Sequence, residues 1–190
     1  GQLTVAGDGA GSDVGVAGAL TITGGGRLIG DTGVATGGAV SVLATGTLQG
    51  AANVASGGDL TVASGGSVTG PVDLASGATG DLNGTVTGSL TNGGTLDLRG
   101  TVTGALLTEA GGDTQVDGAL LTGSTVVNSG TMVVQDPATL TLSGGNVLQT
   151  RDGATTTIAG TVTGSVTDQV NGAGFGTTAL TGGVITGGAT

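Results

Sequence analysis

Three successive segments, 17–36, 37–56 and 57–76, align residue for residue at a spacing of 20 without a gap. Leu20, Val40 and Leu60 form one apolar column, and Ile22, Val42 and Val62 another. Leu28, Leu48 and Val68 form a third, each followed two residues later by Gly30, Gly50 or Gly70. Val34, Val54 and Leu74 form a fourth. A fixed period of this length marks a chain of stacked units, none of which can bury its apolar face alone. Beyond residue 76 the period drifts. Segments 77–92, 93–110, 111–129, 130–151 and 152–171 differ in length, and TVTG recurs at 85–88, 101–104 and 161–164. Residues 1–16 and 172–190 read as degenerate terminal copies, making about ten units in a single 1–190 domain.

Inside a unit the apolar residues alternate over short stretches such as LTV at 60–62 and VDL at 72–74. Alternation of this kind belongs to strands, whose successive side chains face opposite ways. Gly, Asn, Asp and Ser separate the stretches and suit tight corners. The Gly, Thr and Val content argues against helices. The predicted fold is therefore an all-β, right-handed parallel β-helix, or β-solenoid. It has about ten coils of 19–20 residues, each with three short strands. Strands of successive coils would pair ~4.8 Å apart, giving a rod of roughly 45 Å.

Composition then removes function classes. The 190 residues include 45 Gly, three Arg and 13 acidic residues, for a formal net charge of −10. Lys, His, Cys, Trp and Tyr are absent, and Phe175 is the sole aromatic. Without His or Cys there is no Ser–His–Asp or Cys–His nucleophile and no ordinary zinc site. Without Lys there is no Schiff base or P-loop. The negative charge disfavours nucleic acid, which needs cations against its phosphates. No run is long enough for a membrane helix, so this segment is not expected to insert into a bilayer. The chain starts at Gly1 without Met or a signal peptide, which reads as a processed product or a fragment. No catalytic residue and no cofactor is assigned.

Three surface constellations remain. GDLNG at 80–84, LDLRG at 96–100 and QVDG at 115–118 share the inward column Leu82, Leu98, Val116. Asp81, Asp97 and Gln115 then face outward, as do Asn83, Arg99 and Asp117. Arg99 is expected to pair with Asp97 and Asp117 as charge compensation on an acidic surface. The competing reading is a carboxylate pair, Asp81 and Asp97, doing acid–base chemistry; no loop walls a cleft for it, so the rod is expected to offer flat faces. If Val86, Val102 and Val162 point inward, Thr85, Thr87, Thr101, Thr103, Thr161 and Thr163 form a surface ladder. That array suits an ordinary hydrated β surface or an ice-binding face; Arg27 and Ile29 interrupt it in an earlier coil. Finally, GDGAGSDVG at 7–15 offers Asp8 and Asp13 as candidate calcium ligands, against the plainer reading of a polar corner. Asn83-Gly84-Thr85 also fits a glycosylation acceptor.

The Gly-rich coils, with GGDLTVASGGSVTGPVDLAS as the clearest, resemble the passenger region of bacterial autotransporters and haemagglutinin-type adhesins. The resemblance implies secretion to the surface of a Gram-negative cell as a stalk, adhesin or matrix component. It brings no catalytic residues to carry over. The chain lacks the aromatic girdles of a membrane barrel and the aromatic-rich folding segment near a passenger's end. Neither terminal copy looks like a cap, so the open strand edges are expected to admit self-association. The partners expected are therefore further copies stacked end to end, or molecules of a host or neighbouring cell surface. A self-polymerising filament subunit is the alternative structural reading. A carbohydrate-active enzyme and an ice or calcium binder stand as further alternatives.

Overall fold

The computed structural model describes residues 2–5, 8–10, 13–122, 125–143, 145–168 and 176–188, with side chains from residue 13 onward. Among the described residues there are 29 strands and no helix. They form three parallel sheets of ten, ten and nine strands, and each strand's neighbours in its sheet lie one coil before and one coil after. The chain is thus an all-β, three-sheet solenoid. Sheet A contains Ala19–Ile22, Ala39–Val42, Asp59–Val62 and their successors. Sheet B contains Arg27–Ile29, Thr47–Gln49 and Ser67–Val68. Sheet C contains Thr32–Val34, Ala52–Val54 and Val72–Leu74.

The four apolar columns of residues 17–76 stand in register. Leu20 pairs with Val40 and Val40 with Leu60; Leu28 pairs with Leu48 and Leu48 with Val68; Val34 pairs with Val54 and Val54 with Leu74. Ile22 pairs with Val42 and Val42 with Val62 in the same way, and all twelve side chains are buried. Alternation inside each strand sends them inward and their polar neighbours outward, so the core is one continuous apolar column along the rod. At ~4.8 Å per strand step the ten-stranded sheets span roughly 45 Å.

Corners carry the glycines for a steric reason. A Cβ on Gly70 would overlap the carbonyl oxygen of Gly50, and one on Gly50 that of Gly30. The corner backbones therefore stack directly on one another, and only Gly fits.

In the second half the inward column of sheet C changes character. Leu74 is followed by Asn92, Thr108, Asn128 and Thr150, all fully buried. Asn92 precedes a two-residue corner, 93–94, and Asn128 another, 129–130. Asn92 Oδ1 accepts from the Gly94 N–H at 3.0 Å, and its Nδ2 donates to the Asp113 carbonyl and to Thr114 Oγ1 at 2.8 and 2.9 Å. Asn128 repeats this with Gly130, Thr155 and Thr156 at 3.0, 2.8 and 2.9 Å. Thr108 and Thr150 precede four-residue corners instead, and their hydroxyls bond to Thr114 and Thr156 at 2.7 and 2.8 Å. A buried polar group is tolerated where its bonds are met, and here they close the tight corners.

Candidate functional site

The corner joining sheet A to sheet B varies in length along the rod. It takes four residues at 23–26, 43–46 and 63–66. It then takes only two at 83–84, 99–100 and 117–118, and returns to four at 135–138. The three short corners lie side by side, because their flanking strands pair in order. They leave a notch three coils wide. Ser64 and Gly65 wall it on one side, and residues 135–138 with Pro137 on the other. Its floor is low because Gly84 and Gly100 are stacked corner glycines: a Cβ on Gly100 would overlap the Gly84 carbonyl oxygen, and one on Gly84 that of Gly66. A cavity of about 480 Å³ opens on the sheet B side, and a second of about 490 Å³ lies between Arg99 and Pro137. Both cavities are shallow and open to solvent, so the faces stay close to the expected flatness. The cleft is walled by a change of corner length, not by an inserted loop.

Arg99 lies on the rim between the two cavities. Its guanidinium is 3.0 Å from Asp117, 3.3 Å from Asp81, and also paired with Asp97. Asp81 and Asp97 pair across sheet A, and Gln115 follows them in the column. Asn83 Nδ2 donates to Asp81 Oδ1 at 2.8 Å. The sequence reading grouped Asp97, Arg99 and Asp117; the structure brings all three together and adds Asp81 as a third carboxylate on the same cation. Burial is the leading cause that raises the Asp97 carboxyl above its ordinary value. The Arg99 charge pulls it down, and Asp117 and Asp81 push it up. Asp97 Oδ1 is shielded from water and has no hydrogen-bond partner among the described residues. For Arg99, burial pulls the guanidinium down, but the bond to Asp117 and the three carboxylate charges carry it above its usual value.

The threonines divide. Thr85 pairs with Thr101, and their column runs back through Ser67 and Thr47 to Arg27. Thr87 and Thr103 lie just beyond their strands, exposed. After Thr101 the column meets Leu120, then Thr141, then Thr163. Thr161 instead pairs with Thr139, and Val162 with Leu140. The TVTG of 161–164 is therefore two residues out of phase with those of 85–88 and 101–104, and Leu120, 41% exposed, interrupts the ladder. Asp8 starts the same column, opposite Arg27, and its side chain lies outside the described residues. Asp13 is exposed, and among the described residues no group of three acidic side chains is placed to hold a metal.

Two features escaped the sequence reading. The Asn corner caps had a signal, Asn followed by Gly-Gly at 92–94 and by Ser-Gly at 128–130. The notch also had one, in the shortened register steps of 16 residues from Thr79 to Thr95 and 18 from Thr95 to Asp113.

No protein-family description matches the sequence, and no curated protein matches it. The fold does have a match among solved structures. It is similar to the crystal structure of a TibC-catalyzed hyper-glycosylated TibA55-350 fragment. The TM-score is 0.50 over 100% of this chain and 94% of that one, at 18% sequence identity. At that identity the likeness is one of fold.

Proposed function

We propose that this chain is a non-enzymatic, structural and adhesive stretch of an extracellular β-solenoid, serving as a stalk or adhesin on the surface of a Gram-negative bacterium. The observation that carries this reading is the uninterrupted three-sheet stack, a fold shared along its whole length with the TibA fragment. The resemblance of its coils to autotransporter passengers supports the surface location. The residue types also suit exposure: no thiol, no lysine and a net charge of −10. Beads coated with the purified chain should be retained on cell monolayers more than beads coated with an inert protein of equal charge. Equal retention would leave a stalk role and remove the adhesive one.

A head-to-tail filament subunit is the second reading. It rests on the parallel strand pairing that joins every coil to the next along the rod, a contact that a further copy could extend. Electron microscopy at rising concentration distinguishes the readings: lengthening fibres of uniform width support the filament, and isolated short rods oppose it.

A further inference from the structure

Charge is unevenly spread over the rod. Sheet A carries Asp59, Asp81, Asp97 and Asp113, and sheet C carries Asp73 and Asp168. From Thr47 onward the strands of sheet B carry no ionisable side chain at all. The cavity of about 480 Å³ opens onto this face, with Arg99 on its rim. Around its Gly floor it presents the hydroxyls of Ser64, Thr85, Thr101, Thr139 and Thr141, together with the half-exposed Leu120.

We infer that this notch binds a short stretch of a neutral glycan chain. The inference deepens the adhesive reading and rests on it. The volume, about 480 Å³, falls within the roughly 300–1,000 Å³ typical of ligand sites. Each hydroxyl both donates and accepts, which matches a partner whose own groups do the same. An anionic polymer is repelled by a chain of net charge −10. A cationic partner is drawn to sheet A rather than to this face, and the carboxylates nearest the notch already share Arg99. A second copy of the rod, with a flat sheet, would bridge the notch without filling it. The occupant that fits is narrow, uncharged and polyhydroxylated.

The test uses short linear neutral oligosaccharides of glucose, galactose, mannose or N-acetylglucosamine, titrated calorimetrically against the whole chain, with oligolysine and oligogalacturonate as charged comparators. One neutral class should bind, with little dependence on salt. Thr101→Leu removes a hydroxyl and fills the notch, and should weaken binding about tenfold. Thr47→Leu, in the same column of the same sheet but outside the notch, should leave binding within about twofold. Ser64→Leu, on the exposed wall, serves if Thr101→Leu does not fold. The inference is overturned if no neutral class binds, if both column variants lose binding equally, or if only oligolysine binds and salt removes it. Retention of Thr101→Leu-coated beads on cells at the wild-type level would also overturn it, while leaving the adhesive role standing.

Discussion

Arg99 holds three carboxylates that would otherwise repel one another. The four side chains are 33% to 45% exposed, so each ion pair is individually weak in water. Their sum is not trivial, because removing the cation leaves three like charges together. Arg99→Gln should cost about 1 kcal/mol by chemical denaturation, and the cost should shrink at high salt as the repulsion is screened. Asp97 behaves differently. Its carboxyl sits above the ordinary 3.8 in the folded chain, so folding favours its protonated form. That contribution is fully present below the ordinary value and is lost as pH rises through the raised one. Asp97→Asn cannot ionise there. Its stability relative to wild type should therefore climb across that acidic window and level off above it. A flat difference between the two proteins over the same range would contradict the account of a partly desolvated carboxyl.

At the scale of elements, corner length is the variable that matters. Asn92 and Asn128 make two-residue corners possible by giving the N–H of the second corner residue, Gly94 or Gly130, an acceptor inside the core. Asn92→Leu keeps the branched shape but leaves the Gly94 N–H and Thr114 hydroxyl without that partner, and should cost about 2 kcal/mol. Leu90→Val, an apolar trim in the same strand, should cost less, about 1 kcal/mol; the two variants are compared by thermal melting. This scale also explains which parts of the fold could be read beforehand. The columns Leu20–Val40–Leu60 and Val34–Val54–Leu74 were legible because every corner between them has the same length, so linear spacing equals spatial register. From residue 77 the corners shorten and lengthen independently. The phrase TVTG then stops marking one position, and Thr161 drifts two residues from the column of Thr101. The pairing of Arg99 with Asp97 and Asp117 was legible because it needs only one alignment of two adjacent coils. The notch was not, since it exists only as a contrast between neighbouring corners and no residue type announces it.

On the scale of the whole molecule, the rod is additive. Each coil contacts chiefly its two neighbours, and stability accrues coil by coil. Excising residues 37–56 would join Thr36 to Gly57, reproducing the Ser56–Gly57 junction and the register of every column. The shortened chain should fold, with a parallel-β circular dichroism spectrum and a rod shorter by ~4.8 Å in scattering. Excising 79–94 should be worse tolerated. It would remove Asn92, leave the Asp113 carbonyl and Thr114 hydroxyl without that donor, and narrow the notch by one coil.

The uneven steps through the middle of the chain have a kinetic meaning as well. Three near-identical coils are interchangeable, and a growing stack could add the right strand in the wrong place, one period early or late, with every apolar contact apparently satisfied. The short coils cannot be swapped for their neighbours in this way. They act as a phase mark: a coil with the two-residue corner 83–84 does not substitute for one with a four-residue corner at 23–26, 43–46 or 63–66.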